Sequence, residues 1–285
     1  MEKRIDLNAS DLSQQHFWNT TQEEKLYREL AREYPILTAP NRLDKVAQDF
    51  VEHYHQRWQT GKALLVCLDK ITCVRMHALI VDKWRQKLLE LEARVTAEEA
   101  RFTQAGKAFD KFLQSRRQQL EWMRTTEFCV VVSPEQGEVE TFRRWGLDIA
   151  PHREKMVKRD LEQEFKQADH PFRAAIVCAM WLTGFDVKCL ATLYLDKPLQ
   201  GHTLMQAIAR VNRVGAGKKH GLIIDYNGML KSLRKALAIF AQGDRGAGKG
   251  GQEQDMLRED TEALAKYAAG IQRIRAHHKE ITEDT

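Results

Sequence analysis

The chain has 285 residues, 43% of them apolar, enough for one sizeable buried core with a small second unit. Its 45 Lys and Arg against 40 Asp and Glu leave a net charge of +5, so overall charge does not announce nucleic acid, and such binding would have to come from local basic patches. No apolar run approaches the roughly 18–20 residues of a membrane span and the first residues, MEKRIDLNASDLSQQ, lack the apolar centre of a signal peptide, so the expectation is a cytoplasmic protein without membrane contact.

Residues 10–60 read mostly as helix, with Leu43, Val46, Phe50 and Tyr54 at helical spacing and a break at Tyr34-Pro35. Five short apolar runs follow, Ala63–Leu68, Phe128–Val132, Ala174–Met180, Leu190–Leu195 and Leu222–Ile224. Nearly continuous apolar runs belong to strands buried on both faces, which predicts an α/β, doubly wound parallel sheet covered by helices. Between the first two strands, Met76, Ile80, Trp84, Leu88, Leu91 and Val95 step by three and four. They predict a long charged helical excursion from 70 to about 124 that stands off the sheet, with Thr96 to Glu99 as a capping box restarting the helix. Basic patches at Arg116–Arg117, Arg143–Arg144, His152–Arg159, Lys218–Lys219 and Arg234–Lys235 are each weak binding signals.

Three features invite an assignment that the residues do not carry. The cysteines Cys67, Cys73, Cys129, Cys178 and Cys189 form no CxxC pair and have no His at ligand spacing, which reads as free thiols without zinc. Asp160, Glu164 and Lys166 mimic a nuclease triplet, but DLEQEFK reads as a surface helix, whereas such chemistry needs carboxylates at sheet edges to hold Mg²⁺. GDRGAGKG at 243–250 matches GxxxxGK, yet Gly250 replaces the hydroxyl that would hold Mg²⁺, and the segment follows a helical stripe rather than a strand. It reads as a flexible linker, and GAGK at 215–218 as a turn.

The densest pattern spans 181–213. An apolar strand leads into Thr183-Gly184, a second strand follows, and a helix then carries Gln206, Arg210 and Arg213 on one face, with Leu204, Ile208 and Val211 on the other. Here TGFD (183–186) and QAIARVNR (206–213) resemble motifs V and VI of the second RecA-like domain of superfamily two helicases. The surrounding IVCAMWLTGFD, LYLDKPLQGHTLMQAIARVNRV and GLIIDY resemble the R (motor) subunit of type I restriction enzymes, and the likeness runs over roughly residues 30–240.

That resemblance implies a RecA-like parallel sheet flanked by helices, the P-loop NTPase-type fold of a helicase C-terminal domain, at 60–242, with the helical insertion at about 70–124. A helical lead-in at 1–59, a flexible linker at 243–252 and the start of a C-terminal helical region at 253–285 complete the expected layout. It also implies that ATP and Mg²⁺ are held mainly by a first motor domain, which this stretch does not contain. Arg210 and Arg213 match the arginine fingers, which can be worth roughly 10³–10⁵ in rate. Gln206, Asp186 and Gly184 would face the nucleotide. Thr183 would meet the DNA backbone, as would Lys70 and Thr72 after the first strand, where Asp69 departs from the Asn or Ser common among relatives.

The implied parent is an ATP-dependent duplex-DNA translocase within a type I site-specific deoxyribonuclease. Its partners would be double-stranded DNA, the first RecA-like and nuclease domains of the same polypeptide, and the methylation and specificity subunits. The isolated chain is expected to hydrolyse no ATP at an appreciable rate. Two alternatives stay open at this point: the second domain of another superfamily two helicase acting on DNA or RNA, and a non-enzymatic DNA-binding or scaffold module.

Overall fold

A computed structural model describes residues 34–101, 107–182, 184–199, 201–211 and 221–228. The chain divides into two units, Met1–Asn227 and Gly228–Thr285, and every described residue except Gly228 belongs to the first.

Helix α1 (Pro40–Tyr54) starts with proline in its first turn, where the missing N–H has no intrahelical partner to lose. Its expected stripe, Leu43, Val46, Phe50 and Tyr54, is buried. The order thereafter is β1 (Lys62–Cys67), α2 (Lys70–Arg101), α3 (Lys107–Thr125), β2 (Glu127–Val131), α4 (Glu138–Arg144), α5 (Ala150–Lys158), α6 (Leu161–Lys166), β3 (Phe172–Val177), β4 (Leu190–Asp196), α7 (Gly201–Val211) and β5 (Leu222–Asp225). The five strands form one sheet in the order β2-β3-β1-β4-β5, and every pairing is parallel. Central β1 is paired on both sides, Leu65 opposite Ile176 of β3 and Tyr194 of β4.

Alternation along the strands supplies two cores. Ala63, Leu65, Phe128, Val130, Ile176 and Tyr194 face α1 and α2 in one cluster. The intervening Leu64, Val66, Val131, Val177, Leu193 and Leu195 are just as buried, so the sheet is covered on both faces. This is the doubly wound α/β architecture expected from the apolar runs, and it agrees with the RecA-like fold that the resemblance implies.

Two details of the sequence reading are corrected. Helix α2 does not restart at Thr96; it runs unbroken from Lys70 to Arg101, and the Thr96 hydroxyl donates back to the Glu92 carbonyl one turn earlier. Nor does its first half stand off the sheet. Cys73, Met76, Ile80 and Trp84 are buried in the main core, and the Trp84 indole donates to the Met123 carbonyl at 3.0 Å. Farther out, α2 pairs antiparallel with α3 through Glu92 with Arg124 and Glu99 with Arg117.

The third strand is also shorter than its apolar run. It ends at Val177, because Trp181 adopts φ +68° and folds the chain back, stacking its ring on Phe185 at 4.2 Å and on Phe165 at 5.4 Å. A tryptophan in the left-handed region costs on the order of 1–2 kcal/mol, which the buried stack offsets. The five cysteines are free thiols, four of them buried. Among the described residues no helix is long and apolar enough to cross a membrane. The 243–252 linker, the 253–285 region and the glycine-rich segments at 215–218 and 243–250 lie outside the described residues.

Candidate functional site

All five strands point the same way, so their C-terminal ends share one edge, where ligands of open α/β sheets are held. The residues singled out from the sequence fall in two corners, one at that edge after β1 and one where the chain returns from β3 to the start of β4.

The first corner joins the turn after β3 to α7. Leu182, Phe185 and Val187 are buried and anchor the turn from within, leaving Gly184 and Asp186 exposed. Gly184 sits at φ +68°, a conformation that costs a residue without a Cβ little. Helix α7 buries Leu204, Ala207, Ile208 and Val211 against the sheet, which turns Gln206 and Arg210 to a half-buried position. From there Arg210 reaches across 25 residues of sequence: its Nη1 donates to the Phe185 carbonyl at 2.5 Å and its Nε to the Leu182 carbonyl at 3.4 Å. One guanidinium therefore brackets the glycine turn from both sides. Thr183 and Arg213 lie outside the described residues.

The second corner follows β1. Asp69 accepts the Thr72 backbone N–H at 2.6 Å and so caps the start of α2, while its other oxygen accepts the Tyr34 hydroxyl at 2.6 Å. That explains how aspartate stands where Asn or Ser was expected, since all three are strong N-cap residues. Lys70 donates to Glu135 at 2.9 Å with only a tenth of its side chain exposed. Thr72 is 1% exposed, and its hydroxyl has no hydrogen-bond partner among the described residues.

The C-terminal edge itself is closed by pairs that no local motif announces. Lys197 donates to the Cys178 carbonyl, tying the end of β4 to the end of β3. Arg42 of α1 forms an ion pair with buried Asp196 at 2.5 Å and also donates to Asn227. Burial pushes the Asp196 carboxyl above its ordinary value, and Arg42 works against that rise.

The triplet at 160–166 is accounted for structurally. Asp160 caps α6 through the Gln163 N–H, Arg159 holds Glu164, and Lys166 pairs with Glu162. Among the described residues, no group of three His, Cys, Asp or Glu is placed to hold a metal ion. Of the basic patches, Arg143 and Arg144 are exposed and share Glu140, and Arg117 is paired with Glu99.

Comparison with known proteins places this architecture. Residues 140–228, which include the turn and α7, match the family model for domain 3 of the type I restriction enzyme subunit R. A type I restriction enzyme HindI endonuclease subunit of Haemophilus influenzae is 32% identical over 243 residues, covering 82% of this chain and 19% of the relative. The MjaIXP endonuclease subunit of Methanocaldococcus jannaschii is 30% identical over 240 residues, 83% of this chain and 19% of the relative. A solved fragment of an HsdR subunit from Vibrio vulnificus aligns with a TM-score of 0.38 at 13% identity, over 67% of this chain and 28% of that one, and is too distant to add to the argument. Matched through the turn and α7, and spanning 19% of these curated relatives, the chain belongs to the R-subunit family of type I restriction enzymes.

Proposed function

We propose that this chain is the second motor domain of a type I restriction enzyme R subunit, acting on an ATP site completed by a first RecA-like domain. The observation that carries the reading is the Arg210 bracket: the helix of QAIARVNR and the turn of TGFD, 25 residues apart in sequence, form one corner with Gly184 and Asp186 exposed beside it. A corner built this way couples two ligands. The glycine turn offers backbone N–H groups, with the Thr183 hydroxyl, to a DNA phosphate. Asp186, Gln206 and Arg210 face the nucleotide side, and Arg213, three residues on in the sequence, brings positive charge to the γ-phosphoryl as charge develops there.

ATP, with Mg²⁺ held mainly by the first domain, supplies the phosphoryl group whose transfer drives the motor. This chain's residues bind and orient. Because Arg210 is fixed to the turn, any shift of α7 toward the nucleotide moves the DNA-facing turn with it, which is how closing of a cleft becomes a step along duplex DNA. The parent would then be an ATP-dependent translocase and deoxyribonuclease, working with the methylation and specificity subunits.

The test is duplex-DNA-stimulated ATP hydrolysis by the intact parent polypeptide and its Arg213→Ala variant, at matched folding and DNA affinity. Loss of about 10²-fold or more in turnover is expected, roughly 3 kcal/mol of transition-state stabilisation. Unchanged turnover would reduce α7 to a surface helix and the chain to a RecA-like scaffold.

A further inference from the structure

The opposite edge of the sheet, where β1, β3 and β4 begin, carries a cleft of 440 Å³. Trp58 and Trp122, both half-buried, give it flat aromatic walls, and Lys62, Arg173 and Lys188 bring three cations to its lining against one carboxylate, Asp169.

Two of these cations are unusually placed. Lys62 is 1% exposed, yet its ammonium donates only to a neutral acceptor, the Glu164 carbonyl at 2.9 Å, and lies 5.2 Å from the Phe165 ring centre. The Glu164 carboxylate is taken by Arg159, and among the described residues Lys62 has no carboxylate within ion-pair distance. A buried ammonium without a counter-ion is costly, and desolvation accordingly lowers its pKa to about 8. Arg173 lies over the Trp122 ring at 5.3 Å and commits Nη1 to the Trp122 carbonyl and the Thr125 and Thr126 hydroxyls. Among the described residues its Nε and Nη2 donors are not used. Lys188 is exposed at the rim.

A ligand suited to this lining is an anion that also carries a planar ring. Inorganic phosphate would satisfy the cations but leave the aromatic walls and most of the volume empty; a neutral ring would leave Lys62 uncompensated. Planar bases stack on aromatic side chains, and the guanidinium fork suits a phosphate. The volume is within the ordinary range for small-molecule sites. We propose that this cleft binds a nucleoside monophosphate unit, its base against Trp58 and Trp122 and its phosphate among Lys62, Arg173 and Lys188. The unit is either a free nucleotide or the phosphorylated end of a DNA strand. The cleft adjoins the Arg210 corner, Lys188 following Phe185 by three residues, but none of its lining residues is used by the motor assignment, on which the proposal does not rest.

The experiment is a titration of the full 285-residue chain with dAMP, followed by the indole N–H resonances of Trp58 and Trp122, with deoxyadenosine and inorganic phosphate as controls. Saturable movement of both resonances is expected, with each control binding at least about tenfold more weakly. Lys188→Glu, on an exposed residue whose replacement leaves the fold intact, should weaken dAMP about fivefold or more. Competition by a 5′-phosphorylated oligonucleotide would assign the site to strand ends, and its absence to free nucleotides; both support the site. Still resonances at about 10 mM dAMP, a control as tight as dAMP, or an unaffected Lys188→Glu variant would overturn it.

Discussion

The two corners are built from similar residue types, yet they present them oppositely. After β3, a turn is fixed from inside by aromatic stacking and from outside by Arg210, so Gly184 and Asp186 are left facing outward. After β1, the polar groups are turned to structural work: Asp69 caps α2, Lys70 is held by Glu135, and the Thr72 hydroxyl is enclosed. Residue type and position after a strand are therefore the same signal in both places. Only the long-range partners decide which groups are presented to a ligand.

The contrast can be broken most forcefully at the stack. Trp181→Ala removes the ring lying between Phe165 and Phe185, and a loss of about 3–5 kcal/mol in chemical denaturation is expected. A loss below about 1 kcal/mol would mean that the turn is not held from within. Arg210→Ala is expected to cost less, roughly 1.5–3 kcal/mol, because the Leu182 and Phe185 carbonyls lose a charged donor but gain water. Amide hydrogen exchange over 182–187 should quicken while β1 stays protected; equal quickening in both would show that Arg210 supports the whole sheet rather than the turn. Thr72→Val gives the smallest effect. Stability is expected to be unchanged or higher by about 1 kcal/mol, since the variant deletes a buried hydroxyl without a partner among the described residues. If duplex-DNA affinity of the parent fell severalfold in this variant, Thr72 would instead reach the DNA backbone, and the two corners would be alike.

The sheet was legible because its signal is local. Strands buried on both faces leave unbroken apolar runs, and each expected strand overlaps an observed one, the clearest misfit being β3, which stops at Val177 where Trp181 turns the chain back. The amphipathic face of α7 was legible for the same reason, with Leu204, Ile208 and Val211 buried beneath Gln206 and Arg210. What periodicity does not encode is the reach of a long side chain. The Arg210 bracket, the Arg42 pair with Asp196 and the Lys197 contact with Cys178 join positions 19 to 154 residues apart. Thr96 shows the limit in miniature: Thr-x-x-Glu satisfies the capping pattern, but without a Gly or Pro to break the preceding turn the hydroxyl folds back on Glu92 and the helix runs on.

That uninterrupted helix has a mechanical consequence. Up to Lys87, α2 is fastened to α1 through Asp44 and Glu52, and beyond it the ion pairs pass to α3, a helix that doubles back alongside. Residues 88–101 add roughly 20 Å of stiff rod at 1.5 Å per residue. Each tilt of about 10° at the fastened end displaces the far end by about 3–4 Å, so the pair of helices is a lever arm that magnifies small rotations of the sheet.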